Sequence, residues 1–135
     1  MAKKPTTDDN SPAARIALDL ERSELQLRES SPLVVTITAA NPVSLLVRVA
    51  VYRDGRRVAS VLPWTARELS PSGPEGRSTE LQMHLVCRPP APGRQDEKGR
   101  LLPESYTVVA AIASADGKPI DSAEATVTVR PAKED

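Results

Sequence analysis

Pro103-Glu-Ser-Tyr-Thr-Val-Val-Ala-Ala-Ile-Ala-Ser114, Ala-Asp-Gly-Lys118 and Pro119-Ile-Asp-Ser-Ala-Glu-Ala-Thr-Val-Thr-Val-Arg130 follow one another near the end of the chain, and their reading decides the fold. The outer two runs read as β-strands, and the short polar segment between them reads as a tight turn. Asp116-Gly117 supplies the turn, because Gly117 accepts the positive φ that hairpin loops require. On the second run Ala123 and Ala125 form a small-residue inner face beside an outer one carrying Thr126 and Thr128.

The same alternation recurs upstream. Leu81, Met83, Leu85 and Cys87 alternate with Glu80, Gln82 and His84. Val47, Val49 and Val51 alternate with Arg48, Ala50 and Tyr52, and Leu33, Val35, Ile37 and Ala39 with Val34, Thr36 and Thr38. Ile16, Leu18 and Leu20 share a face, and Leu25 and Leu27 continue it after a break. A helical reading of 15–28, through Leu18, Arg22 and Leu25, yields to the strict alternation over 16–20. Asp54-Gly55 marks a second hairpin, with a return strand from Arg56 to Leu62. Strands are expected over about 15–27, 33–40, 45–53, 56–62, 78–87, 104–114 and 120–130. Residues 63–78, with three prolines and two glycines, read as a loop, and 88–103, with four prolines, as another. The pattern is that of an all-β, two-sheet sandwich of seven or eight antiparallel strands.

Composition bounds the rest. A chain of 135 residues fits one domain. Its expected organisation is a disordered polar arm over 1–13, the sandwich over 14–130 and a polar tail over 131–135. Eighteen basic residues balance eighteen acidic ones, so there is no bulk attraction to nucleic acid or anionic membrane. The apolar runs fall far short of the roughly 20 residues of a membrane helix. The first residues carry lysines without an apolar segment after them, which reads as no secretory leader and a cytoplasmic location. Cys87 is the sole cysteine, consistent with a reducing compartment. Tyr52, Trp64 and Tyr106 are the only aromatics, so the core is aliphatic.

Leu101-Leu-Pro-Glu-Ser-Tyr-Thr-Val-Val-Ala resembles the start of the penultimate strand in immunoglobulin-like and fibronectin-like domains. That resemblance, covering roughly residues 15–130, implies a tyrosine corner, in which Tyr106 fills the end of the core and its hydroxyl pins the preceding loop. The chain departs from antibody domains in two respects. It has Val35 or Ile37 and Val108 where the inter-sheet disulfide would lie, and Val47, Val49 and Val51 where a core tryptophan is expected. The likeness is to the wider bacterial immunoglobulin-like superfold. A looser one is to the small intracellular proteinase inhibitors, which would act through an extended loop at 63–78 or 88–103.

Catalytic and metal chemistry finds little support. His84 is the only histidine, and Cys87 lies three residues on, on the opposite face of a strand. His84 therefore reads as a surface residue and Cys87 as a core one. One His and one Cys make no zinc site, Asp8, Asp9 and Asn10 lack the frame of a calcium loop, and no phosphate-binding glycine loop occurs. No cofactor is expected. Trp64 has two readings: a hot spot for a partner, or a plug for the open end of the sandwich.

Strand direction groups the loops. Residues 41–44, 63–78 and 115–118 share the end marked by Gly117, while 54–55 and 88–103 share the end marked by Gly55. Trp64, Arg67 and Pro42 at the Gly117 end are the first candidates for a partner surface. Arg88, Arg94, Lys98 and Arg100 at the other end are the alternative, read otherwise as a solvated loop. The edge beside 120–130 is a third route, by strand addition, whereas Arg15, Asp19, Arg56 and Arg57 guard other edges. Three scattered aromatics argue against a carbohydrate platform. The expected function is a non-catalytic immunoglobulin-like module. It would bind a protein partner as an accessory subunit of a bacterial or viral assembly, with proteinase inhibition as the alternative. Tyr106, Gly55 and Gly117 have structural roles in this reading.

Overall fold

Alternating burial through Ser31–Ala39 and Glu104–Ile112 becomes strand structure in the computed structural model, which describes residues 14–39, 42–69, 79–90 and 92–131. The expected arm over 1–13, Asp8 to Asn10 within it, residues 70–78 and residues 132–135 of the tail lie outside the described residues. Eight strands follow in order: β1 (Arg15–Leu20), β2 (Glu24–Gln26), β3 (Ser31–Ala39), β4 (Val43–Arg53), β5 (Arg56–Leu69), β6 (Thr79–Cys87), β7 (Glu104–Ser114) and β8 (Pro119–Arg130). Sheet order is β1-β3-β6 in one layer and β2-β8-β7-β4-β5 in the other. The fold is an immunoglobulin-like two-sheet sandwich. Among the described residues no helix is long and apolar enough to cross a membrane.

The two inner faces meet in an aliphatic core. Leu33, Val35 and Ile37 of β3 and Val47, Val49, Val51 and Val108 of β4 and β7 are all fully buried. Each such side chain contributes about 1.5–3 kcal/mol of burial free energy. Tyr106 is the largest fully buried side chain, and its ring lies in the core. Cys87 is buried too, and burial pushes its thiol pKa up, while His84 faces outward from the same strand.

Both hairpins take the geometry their turn residues favour. Asp54 and Gly55 have φ of 52° and 79°, the paired left-handed conformation that matches strand twist. The β7–β8 loop closes through Gly117 at φ 94°, with Gly117 N–H donating to the Ser114 carbonyl at 2.8 Å.

Three expectations need correction. The strand expected over 15–27 is two strands in different sheets. After Leu20 the chain turns away, held where Arg22 N–H donates to Ser31 Oγ at 2.9 Å. It then lays β2 beside the end of β8 in a parallel pair, Glu24–Gln26 against Thr128–Arg130, so not every pairing is antiparallel. This also places the chain's own strand on part of the edge proposed for strand addition. Thirdly, residues 63–69 are not loop: β5 runs through Pro63 and Trp64 to Leu69. Proline is tolerated there because β5 is an edge strand and Pro63 falls at a bulge.

Candidate functional site

The site grows out of a mismatch in strand length. β5 spends 14 residues facing the 11 of β4, and the surplus appears as three register shifts. Counting back from the Asp54-Gly55 turn without bulges would set Val61 opposite Arg48. The shifts instead bring Pro63 and Trp64 there, between the pairs Val49↔Leu62 and Val47↔Thr65. Bulges re-aim side chains in this manner. Thr65 Oγ1 donates to the Pro63 carbonyl at 2.6 Å and satisfies the irregular backbone.

Because Val47, Val49 and Val51 face the core, Arg48, Ala50 and Tyr52 face out. The Arg48 guanidinium lies 4.8 Å from the Trp64 ring centroid, and its Nη2 donates to Tyr52 Oη at 2.9 Å. Ala50, which lies between Arg48 and Tyr52 in β4, is wholly buried although it belongs to the outer face. Trp64 remains 45 % exposed. The stacked pair forms a ridge between two grooves. One, of about 420 Å³, runs toward Ala111, Pro119 and Ile120. The other, of about 440 Å³, runs over Arg57, Val58, Ser60 and Pro63.

Among the expected partner residues, Trp64 thus lies on a strand of the outer face and neither in a loop nor in the sandwich mouth. Arg67 is three residues further along β5 and takes the opposite face, with its Nη1 donating to the Ala66 carbonyl at 3.3 Å. Pro42 is exposed ahead of β4. The structure joins Trp64 to Arg48 and Tyr52, which the sequence reading had treated only as strand residues.

The Gly55 end is organised differently. Arg94 Nε lies 2.8 Å from Oε1 of the buried Glu104 without an aligned hydrogen bond to it, and Arg94 Nη2 lies 3.8 Å from Asp54. Arg100 pairs with Asp96 at 2.9 Å. Residues 94–102 fold back on themselves, with Asp96 N–H donating to the Arg100 carbonyl and Leu102 N–H to the Arg94 carbonyl, both at 2.8 Å. The Arg100 and Lys98 backbone N–H groups hold the exposed Asp96 carboxylate below its ordinary pKa. Ser114 does the same for Asp116 at the other end. Among the described residues, no group of three His, Cys, Asp or Glu is placed to hold a metal.

No family model matches the chain, and no curated protein matches it. Solved structures do. The CARDB domain of a Pyrococcus furiosus protein, solved with di-metal ions, aligns over 91 % of this chain and 97 % of that domain, with TM-score 0.56 and 14 % identity. An alkylpurine DNA glycosylase from Pseudomonas fluorescens aligns over 88 % of this chain and 31 % of its own, with TM-score 0.53 and 18 % identity. A β-glucosidase from Erythrobacter marinus aligns over 87 % and 15 %, again with TM-score 0.53 and 18 % identity. The chain corresponds to one whole domain in the first case and to a fraction of a larger enzyme in the others. At these identities the likeness is one of fold.

Proposed function

We propose that this chain is a non-catalytic immunoglobulin-like interaction module that engages a protein partner through the outer face of β4 and β5, as an accessory subunit of a bacterial or viral assembly. The observation that carries this reading is the ridge of Trp64 on Arg48, anchored to Tyr52. Trp, Tyr and Arg dominate binding hot spots because large, semi-rigid groups lose little entropy when desolvated. Here two of the three aromatics of the chain stand on one face, one of them nearly half exposed. The whole-domain match to the CARDB domain supports a module, while the partial matches show the same fold carried within larger enzymes. The inhibitor alternative needs an extended loop. Residues 63–69 are paired strand and 94–102 a closed turn, which leaves it the stretch ahead of Arg94 in 88–103 and residues 70–78, the latter outside the described residues.

Affinity capture from the native host, followed by mass spectrometry, tests the proposal. The wild-type chain should retain a dominant protein partner that Trp64→Ala loses. Retention of every partner by Trp64→Ala would refute the surface.

A further inference from the structure

We infer that the groove beside Trp64 takes an acidic peptide segment, with carboxylates on Arg48 and Arg57 and an apolar side chain between them. This rests on the interaction reading above and specifies the partner's chemistry.

Charge is the first argument. Residues 43–69 carry Arg48, Arg53, Arg56, Arg57 and Arg67 against Asp54 and Glu68, a net charge of +3 in a chain that sums to zero. At the Gly55 end two of the four basic residues are answered from within: Arg94 meets Glu104 and Asp54, and Arg100 meets Asp96. Arg22 and Arg130 are likewise paired, with Glu29 and Glu24. None of these ion pairs involves Arg48 or Arg57, the two guanidinium groups that line the groove.

Geometry is the second. Charges on edge strands commonly serve to repel unwanted strand pairing, and Arg57 on β5 would suffice for that. Arg48 is on β4, an interior strand of the sheet, so edge protection does not explain it. Its guanidinium is also held in place by the Trp64 ring and the Tyr52 hydroxyl. A planar donor fixed in advance loses less entropy on meeting a carboxylate. Beside the two cations the groove is lined by Val58, 36 % exposed, and Pro63, both suited to an aliphatic side chain. The three register shifts on β5 disfavour regular strand addition, so recognition falls to side chains.

Trp64 is the only tryptophan, so its emission reports directly on the groove. The test titrates the full chain with a synthetic peptide bearing Asp-Glu pairs on both sides of a leucine. Parallel titrations use its Asn-Gln counterpart and a single-stranded oligothymidylate. The acidic peptide should shift Trp64 emission saturably and bind more weakly as salt rises. Arg57→Gln should weaken it about tenfold, the loss expected for one charge-assisted contact. Arg48→Lys should weaken it as well, because the ammonium cannot reproduce the stacked fork. Equal binding of the Asn-Gln peptide, tighter binding of the oligonucleotide, or no saturable response to the acidic peptide would each overturn the inference. Capture from the host separates the two levels. A partner lost with Trp64→Ala but indifferent to Arg57→Gln and to salt leaves the interaction reading standing and removes the acidic ligand. A partner indifferent to Trp64→Ala removes the reading itself.

Discussion

β5 and β6 are both edge strands, one in each sheet, and they solve the same problem in opposite ways. β6 follows β3 through nine paired residues without a shift, and its side chains obey simple alternation. Cys87 is in and His84 is out, as a strand of period two requires. β5 breaks register three times against β4. The breaks leave the core contacts of β4 intact, since Val47, Val49 and Val51 stay fully buried, but they change what stands outside. The regular edge presents Gln82, His84 and Val86, and the bulged edge presents Trp64 stacked on a tethered arginine. Regular pairing is enough for stability. The irregularity re-aims a large ring.

The largest expected effect lies inside the regular sheet. Leu33→Ala removes a fully buried side chain and should destabilise the fold by about 3 kcal/mol in urea unfolding. Val86→Ala, on the outer face of the neighbouring strand at 63 % exposure, should change stability by less than about 0.5 kcal/mol. Near-equal costs would show that the inner and outer faces are misassigned.

The turn of the bulged hairpin comes next. Gly55→Ala meets no atom within 4 Å, so its cost should be the strain of a left-handed alanine alone, about 1 kcal/mol. A much larger loss in the same measurement would mean that the turn is packed against something. Smaller again is the coupling between Arg48 and Trp64. A double-mutant cycle with both alanine variants should give about 0.5–1 kcal/mol of stability, the range for an exposed cation–π pair. Zero coupling would mean that the ridge is not held together.

How much of this was legible follows from the same contrast. Where alternation is unbroken, in β3, β4, β6 and β7, the residues reveal their faces directly. Asp54-Gly55 and Asp116-Gly117 announced both turns because few residues accept positive φ. β5 was legible only to Leu62, since each bulge resets the period and Pro63 looks like a terminator. The step of β2 into the second sheet left no mark in its apolar residues, because Ile16 and Leu25 are buried in either arrangement. Arg48 and Tyr52 share a face by spacing, a signal available from the start. Their meeting with Trp64 depends on bulges that no local pattern predicts.

The smallest expected effect is the pH response of the two turn carboxylates, which lie in loops outside the contrast between the edges. Asp96 and Asp116 are held below their ordinary value of 3.8 in the folded state. Between that value and their lower folded ones, the unfolded chain binds more protons. Their stabilisation is therefore present above about pH 4 and fades as pH falls through the folded values. Asp96→Asn should lower the urea midpoint slightly at neutral pH and leave it nearly unchanged in acid, where the wild-type carboxylate is already protonated, so the acid side of the profile flattens. A greater loss at acid than at neutral pH would reverse the sign.

The most direct test of the central claim sets the two most exposed large apolar residues among those described against each other. Trp64→Ala and Val86→Ala are run side by side in affinity capture from the host, with unfolding curves confirming that both fold. Val86 is the more exposed of the two, so surface hydrophobicity alone would favour it. The account predicts loss of the dominant partner with Trp64→Ala and its retention with Val86→Ala. The reverse outcome, or retention by both, would contradict it.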